Sequence, residues 1–446
     1  MKNLNPKLLA IAPAAYLFLT LTAHADYFTN APSMSTVRAS HGTALLPDGR
    51  ALVFGGFNAA GTVTNTAQIF DATNNVWITT GSLASKRVGC TATLLPNGRV
   101  LAAGGLAVFY NGYAAIAELF DVSTGAWSPT GALNIPRYSH QATLLPNGKV
   151  LITGGDATNG YPASTELYDP ATGNWSFTGA LSAGRDGHTA TLLPSGKVLV
   201  VAGRNGLELT SVQLYDPAAG IWTAAASVSG GFDSHTATLL PNGRVLVAGG
   251  YGGGVLKQAI IYNPANNIWN ATGLLNTGRY GHTATLLANG KVLVAGGYGA
   301  NNTPLASAEL YDPATGSWTT TASMSVARTF ETDYRLPNQK LLYTGGTGVG
   351  GVGNNLSSAE LYVPTVLTMP PITLTGAARL PNGAFQFAFT NIPGTGFTVL
   401  AGTNASTPLS NWTVLGSASE ISSGQFQFTD SATSTNARRF YRVRSP

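Results

Sequence analysis

The sequence has almost no cysteine and little charge. Cys90 is the single cysteine in 446 residues. No disulfide can form within the chain, so the fold must be held by packing. Charged residues make up 10% of the sequence, against about 25% in an average soluble domain. The formal net charge is only +5 and the basic residues are scattered, which argues against a nucleic-acid partner.

Long apolar runs are absent except at the N-terminus. Two lysines precede an apolar stretch at residues 8–22, and residues 23–25 read Ala-His-Ala, a small-x-small cleavage motif. The stretch is shorter than the ~20 residues of a membrane-spanning helix. We therefore predict that residues 1–25 are a cleaved signal peptide, with an uncleaved anchor as the alternative. Cleavage would leave no transmembrane segment, and we expect a secreted, extracellular or cell-envelope protein.

Glycine is abundant, and its pairs are regularly spaced. The 54 glycines follow no Gly-X-Y period, which excludes collagen. Gly-Gly pairs instead end short Val-Leu segments at intervals of 47 to 50 residues. This period indicates seven copies of one structural unit. The pairs begin at Gly55, Gly104, Gly154, Gly249, Gly296 and Gly345, and Ala202-Gly203 is a degenerate copy.

Aromatic residues recur in phase with the glycines. An aromatic residue precedes a turn, and Trp follows seven residues later. Turns such as residues 169–173 (Asp-Pro-Ala-Thr-Gly) reverse the chain, because Pro presets φ and Gly accepts the left-handed conformation. Together with Pro-Asn-Gly hairpin turns, they predict four strands per repeat. The pairs are Phe70/Trp77, Phe120/Trp127, Tyr168/Trp175, Tyr215/Trp222, Tyr262/Trp269 and Tyr311/Trp318.

The Gly-Gly, Tyr-Asp and Trp marks in register resemble the Kelch-repeat family over residues 27–365. The resemblance implies an all-β, seven-bladed Kelch-type β-propeller, which we place at residues 26–369. The seventh repeat lacks its Trp. Phe28 lies ten residues before Arg38, as Trp318 lies ten before Arg328. We therefore predict that an N-terminal strand within residues 27–34 closes the last blade and removes its free edge; residues 365–369 are the alternative.

The C-terminal part departs from the repeat. Pro370-Pro371 interrupts the pattern, and residues 372–446 contain short segments that alternate apolar and polar residues. Period-two alternation between turn residues indicates a small β-sandwich, an accessory module. The alternating segments are Phe385-x-Phe387-x-Phe389, Phe397-x-Val399, Trp412-x-Val414 and Phe426-x-Phe428.

The direction of the strands predicts where a ligand would bind. If strand A of each blade leaves one face, the A–B and C–D turns share a face, and the B–C and D–A loops share the other. The B–C loops vary, and variable loops on a rigid scaffold often carry function. Their aromatic rings could stack on sugars or anchor a protein partner. These candidate residues are Phe57, Phe109, Tyr110, Tyr113, Tyr161, Tyr251 and Tyr298.

A second candidate set precedes strand A. An Arg-x-x-His pattern recurs there, and innermost strands line the channel, so we expect these residues near its mouth. His can bind metals or transfer protons. The alternative is a structural role, with hydrogen bonds to the backbone of the neighbouring blade. The set is Arg38/His41, Arg137/His140, Arg185/His188, His235 (with Phe232 for Arg) and Arg279/His282; Cys90 follows Arg87 and Glu331 follows Arg328 in the two remaining blades.

The repeats are also similar to the central propeller of galactose oxidase. That resemblance implies one copper held by two Tyr and two His, with one Tyr cross-linked to Cys, and points to Cys90, Tyr138 and His282. No Tyr precedes a His of the repeats, however, and no His follows His282. We therefore favour a monomeric, non-catalytic binding scaffold without a cofactor, for carbohydrate or protein. A copper oxidase acting on sugars or alcohols is the alternative.

Overall fold

The computed structural model describes residues 26–107, 112–351, 353–364, 375–380, 384–390, 398–402, 413–422, 425–430 and 440–444. The predicted signal peptide lies outside these ranges. The strands fall into two compact units, one up to Thr365 and one from Val366 onward. No helix in the described ranges is long and apolar enough to cross a membrane.

The first unit consists of seven four-stranded antiparallel sheets. Blades 1 to 4 contain β2 (Gly42–Leu45), β3 (Ala51–Phe54), β4 (Ala67–Asp71) and β5 (Val76–Thr79); β6 (Thr91–Leu94), β7 (Val100–Ala103), β8 (Ala117–Asp121) and β9 (Ala126–Thr130); β10 (Gln141–Leu144), β11 (Val150–Thr153), β12 (Thr165–Asp169) and β13 (Asn174–Thr178); β14 (Thr189–Leu192), β15 (Val198–Val201), β16 (Val212–Asp216) and β17 (Ile221–Ala225).

Blades 5 to 7 complete the ring. They contain β18 (Thr236–Leu239), β19 (Val245–Ala248), β20 (Ala259–Asn263) and β21 (Ile268–Ala271); β22 (Thr283–Leu286), β23 (Val292–Ala295), β24 (Ala308–Asp312) and β25 (Ser317–Thr320), with a 3-10 turn at Ala300–Asn302; and β26 (Thr332–Arg335), β27 (Leu341–Thr344), β28 (Ala359–Val363) and β1 (Tyr27–Ala31).

The order of the strands places the core between blades. The first strand of each blade contacts the first strands of both neighbours, and β26 returns to contact β2, so the first strands surround a central channel. Every second strand is buried along its whole length, whereas the fourth strands are largely exposed. The prediction of an all-β, seven-bladed propeller is therefore confirmed.

The aromatic pairs connect neighbouring blades. Tyr168 lies directly opposite Trp175 across β12 and β13, with ring centroids 5.0 Å apart. Tyr168 is fully buried, and its hydroxyl shares a 2.8 Å hydrogen bond with Thr130 of blade 2. The indole of Trp175 donates to the carbonyl of Gly131, also in blade 2. This pair thus combines buried ring area with two hydrogen bonds of about 1 kcal/mol each across the blade junction.

The double glycines allow two loops to approach closely. Gly154 and Gly155 have φ of +57° and +96°, which favours glycine. A Cβ on Gly154 would lie 2.3 Å from the carbonyl oxygen of Arg185, and one on Gly155 would lie 2.7 Å from that of Tyr138. The backbone there has no room for a side chain, which explains why the pair recurs.

The ring is closed by the N-terminal strand. β1 pairs antiparallel with β28, and Phe28 lies opposite Tyr362. Its ring is 5.1 Å from that of Tyr362 and 5.5 Å from that of Tyr343. Phe28 therefore takes the place that Trp occupies in the other blades.

The second unit contains two antiparallel sheets in the described ranges, which fits the predicted sandwich. One sheet has the order β29 (Thr375–Arg379), β30 (Phe385–Thr390), β34 (Gln425–Asp430) and β33 (Ser419–Ser422); the other has β32 (Thr413–Ser417), β31 (Thr398–Gly402) and β35 (Phe440–Arg444). Phe387, Phe389 and Phe426 of the first sheet and Val399 of the second form one buried cluster. Phe397 and Trp412 lie outside the described residues.

Candidate binding site

The D–A and B–C loops meet at one end of the channel. In each blade, the second residue before the His position forms an isolated antiparallel bridge with the residue that follows the double glycine. Seven such pairs surround the channel and form the channel mouth. From blade 1 to blade 7 they are Ala39/Phe57, Val88/Leu106, Tyr138/Asp156, Asp186/Arg204, Asp233/Tyr251, Tyr280/Tyr298 and Thr329/Thr347.

Beneath the mouth, backbone hydrogen bonds connect five of the seven pairs of neighbouring blades. The amide of Ser139 donates to the carbonyl of Gly89, that of Gly89 to Ser40, and that of Ser40 to Phe330. All seven residues at this position have φ between +51° and +61°. Most are Gly or Ser, but blade 7 has Phe330, which is 47% exposed. A bulky residue in this conformation is strained, and strained residues cluster at functional sites.

Blades 1 to 3 form an apolar and aromatic side of the mouth. Val88 and Leu106 are buried against the rings of Phe57, Tyr113 and Tyr138. The rings of Tyr113 and Tyr138 are 5.8 Å apart. A cavity of about 320 Å³ opens here, lined by these side chains and by Asp156.

Blades 3 to 5 contribute three carboxylates, Asp156, Asp186 and Asp233. Arg204 is the basic residue among the mouth pairs, and its Nε lies 3.1 Å from a carboxylate oxygen of Asp186. Burial raises the pKa of Asp186, although Arg204 opposes the shift. Asp233 accepts a 2.6 Å hydrogen bond from the hydroxyl of Ser234. The three carboxylates outnumber the one guanidinium, so this side of the mouth is acidic.

Blades 5 to 7 carry an arc of rings. Tyr280 lies between Tyr251 and Tyr298, with centroid distances of 5.5 Å and 5.2 Å. Phe330 continues the arc, 5.8 Å from Tyr298 in an edge-on arrangement. The hydroxyl of Tyr280 donates to Asn302 of the 3-10 turn. The rings contact one another, and all four side chains are at least partly exposed.

The aromatic candidates fall into three groups. Phe57, Tyr251 and Tyr298 belong to the mouth pairs, and Tyr113 lies beside them. Tyr161 lines a separate pocket of about 500 Å³ on the blade 3 loop, together with Pro136 and Pro162. Phe109 and Tyr110 lie outside the described residues.

The structure buries the arginines of the repeat completely, away from any ligand at the mouth. The candidates Arg38, Arg137, Arg185 and Arg279 are 0% exposed, as are Arg87 and Arg328. Arg137 donates to the carbonyls of Gly154 and Ser164 at 3.0 Å and to the carboxylate of Glu166 at 3.0 Å. These partners belong to its own blade, not to the neighbouring blade. Arg87, Arg279 and Arg328 bind Glu118, Glu309 and Glu360 in the same way.

The histidines are buried between blades. His140 shares a 3.0 Å hydrogen bond with the hydroxyl of Thr91 in blade 2. Burial, and to a smaller extent the charge of the nearby Arg137, lower the pKa of His140 to about 3. The side chains of the remaining candidates are also buried and bond to threonine in the same way: His41, His188, His235 and His282 pair with Thr344, Thr153, Thr189 and Thr236. They stay neutral at physiological pH and connect adjacent blades.

The copper alternative requires donors that converge, and the described residues do not fit it. His282 bonds to Thr236 between blades 5 and 6. Cys90 packs in the apolar cluster between blades 1 and 2, where burial raises the pKa of its thiol to about 11. Tyr138 belongs to the mouth. No three His, Cys, Asp or Glu side chains within the described part of the chain are grouped so that they could hold a metal ion.

Sequence reasoning missed part of the mouth. The candidate residues did not include Asp156, Asp186, Asp233 or Tyr280. Tyr138 was a candidate only as a copper ligand. A signal for them exists in the repeat. Each lies at a fixed distance from a repeated mark, either one residue after the double glycine or two before the His position, and the residue there differs from blade to blade.

Comparison with known proteins identifies the repeat. Residues 40–232 match the model of the KLHDC2/KLHL20/DRC7 Kelch-repeats domain, and residues 279–325 match that of the Kelch motif. The two matches together span more than half of the chain. A comparison with curated proteins found no match.

Two solved structures share the fold. A fungal alcohol oxidase of the AA5 family, in complex with copper, superposes with a TM-score of 0.65 at 17% identity, over 93% of this chain and 94% of that one. YjhT superposes with a TM-score of 0.51 at 18% identity, over 65% of this chain and 99% of its own. At such identities the likeness shows the fold alone. Together with the matched repeats, it identifies this chain as a member of the Kelch-repeat β-propeller family.

Proposed function

We propose that the protein is a secreted, non-catalytic carbohydrate-binding propeller whose ligand binds at the channel mouth. One observation carries the proposal: the mouth combines accessible tyrosine rings with carboxylates, whereas the layer beneath it repeats from blade to blade. The rings of Tyr251, Tyr280 and Tyr298 are in contact with one another, and the carboxylates lie on blades 3 to 5.

This combination suits the chemistry of sugars. A pyranose ring has an apolar C–H face that stacks on an aromatic ring, and its hydroxyls donate hydrogen bonds that carboxylates accept. Tyrosine adds a hydroxyl at the edge of each ring. Because the mouth is held by bridges and by backbone hydrogen bonds between blades, little conformational entropy is lost on binding.

The titratable groups support binding in preference to catalysis. The five described histidines of the repeat are buried and bonded to threonine, so they cannot exchange protons with a ligand at the mouth. Cys90, Tyr138 and His282 lie in three different parts of the propeller, as described above. The proposal that the protein is exported rests on its N-terminal sequence. The absence of disulfides within the chain is compatible with export, because close packing can hold the fold together.

The test is a glycan array probed with the mature protein, followed by titration calorimetry on the best ligand. We expect a hit, and we expect Tyr251→Ala combined with Tyr280→Ala to weaken binding by at least about tenfold, since stacked aromatic anchors dominate such interfaces. Phe177→Ala is the control, because Phe177 is 56% exposed on β13, away from the mouth. An empty array, together with a protein partner whose binding depends on the same tyrosines, would overturn the proposal.

A further inference from the structure

The cavity on blades 1 to 3 has a composition that differs from the rest of the mouth. Its walls include Phe57, Tyr113 and Tyr138. Its volume of about 320 Å³ falls in the range of small-molecule sites, roughly 300–1,000 Å³. The inference drawn from it rests on the proposed carbohydrate binding and specifies the kind of sugar.

The aromatic walls are fixed in place. The rings of Tyr113 and Tyr138 are 5.8 Å apart and inclined at 50°. Tyr138 lies over Gly89, where a Cβ would come within 3.1 Å of the ring. Phe57 packs against Val88 and Leu106. The three rings therefore form the walls of a preformed, largely apolar cage.

The charge in this cage has one sign. Asp156 lines the cavity, and no basic side chain does so among the described residues. Asp156 also affects Tyr138. Burial of Tyr138 and, second in size, the negative charge of Asp156 raise the pKa of Tyr138 to about 12. Arg204 of the next blade is engaged by Asp186 and does not neutralise Asp156. A cation in the cavity would lie near one carboxylate and three aromatic rings.

We propose that this cavity selects a protonated amine, so that the carbohydrate ligand is an amino sugar with a free ammonium group. An ammonium over aromatic faces gains about 0.5–2 kcal/mol or more as it is desolvated. The adjacent carboxylate adds a charge-assisted hydrogen bond. A neutral or N-acetylated sugar of the same ring size lacks both contributions, and an acidic sugar is repelled by Asp156.

Calorimetry with three matched oligosaccharides tests this proposal without any variant. The probes are a glucosamine oligomer, its N-acetylated form and the corresponding glucose oligomer, at a mildly acidic pH that keeps the amine charged. We expect the glucosamine oligomer to bind at least about tenfold more tightly than the other two, an advantage of about 1.4 kcal/mol. Added salt should reduce the advantage, since exposed charges are screened.

Variants locate the selectivity. Asp156→Asn should reduce the preference for the free amine to about twofold or less while binding of the glucose oligomer persists. Asp216→Asn removes the same charge on the other face of the propeller, where Asp216 pairs with Lys197, and should leave the preference intact. Equal or tighter binding of the neutral or acetylated oligomer would overturn this inference alone. Absence of binding by all glycans, these three included, would overturn the proposed function as well.

Discussion

Arg137, Tyr138 and His140 lie within four residues of one another, yet they belong to two layers with opposite behaviour. Arg137 is buried and paired with Glu166, and His140 is buried against Thr91. Tyr138, between them, faces the cavity at the mouth. The buried layer uses the same residue types in almost every blade, whereas the mouth uses different ones. In this repeat, identity between blades marks what holds the ring together, and variation marks what faces the channel mouth.

The largest effect should come from removing an arginine of the buried layer. Arg137→Ala leaves Glu166 as an unpaired charge in the interior, at a cost of about 3–5 kcal/mol in the free energy of unfolding. Chemical denaturation measures it. The control is Arg99→Ala, because Arg99 and Asp121 form an exposed pair at 3.4 Å that contributes less than about 1 kcal/mol. Equal losses in both variants would contradict the contrast between buried and exposed pairs.

The buried histidines should make the fold sensitive to acid. The pKa of His140 is about 3 in the folded state and 6.5 without burial, so between these values the unfolded chain binds a proton that the folded chain does not. Stability therefore falls as pH drops from about 6.5 towards 3. His140→Gln, which keeps a side chain able to bond Thr91, should reduce the slope by about 1 kcal/mol per pH unit. An unchanged slope would mean that His140 is protonated in the fold.

Blade 7 should show the opposite pH dependence. Glu331 replaces His; both of its carboxylate oxygens are buried without a hydrogen-bond partner, and burial raises its pKa to about 8. The folded chain then holds a proton that the unfolded chain loses above about pH 4, so stability falls as pH rises towards 8. The charge of Asp333 also raises the pKa of Glu331, whereas the charges of Arg328 and Arg279 lower it.

Glu331→Gln isolates this contribution. The variant should be more stable than the wild type above about pH 8 by roughly 1–2 kcal/mol, and the gain should vanish near pH 4. Thermal unfolding at the two pH values is the measurement. A variant that is less stable at both would show that the Glu331 carboxylate has a favourable partner.

The smallest effect on stability should come from the mouth. Tyr280 is partly exposed and contacts Tyr251 and Tyr298, so Tyr280→Ala should cost less than about 1 kcal/mol while weakening ligand binding strongly. Denaturation and calorimetry on the same preparation give both numbers. A loss of stability similar to that of Arg137→Ala would place Tyr280 in the structural layer.

Much of the fold could be predicted from the sequence, because the repeat imposes it. The glycine pairs and the Tyr/Trp pairs fix the strands, and the match between the segments that start at Phe28 and Trp318 indicates how the ring closes. The burial of Arg137 and His140 could not be derived from their spacing. Whether a polar residue at a loop points inward depends on partners such as Glu166 and Thr91, which are distant in sequence.

The mouth shows the same limit. Asp156 and Tyr138 meet because a bridge joins two loops, and nothing in either loop alone predicts their pairing. Aromatic composition directed attention to the B–C loops, and their role in binding stays a prediction. The contribution of the D–A loops, and the carboxylates among the rings, required the structure.

The most direct test of the account is a crystal structure of the mature protein with the oligosaccharide that binds best on the array. We expect sugar density at the channel mouth, stacked on Tyr251, Tyr280 or Tyr298 or enclosed by Tyr113 and Tyr138, with a hydroxyl or amine within hydrogen-bond distance of a mouth carboxylate. Density confined to the opposite face or to the C-terminal unit, with the mouth rings covered only by water, would contradict it.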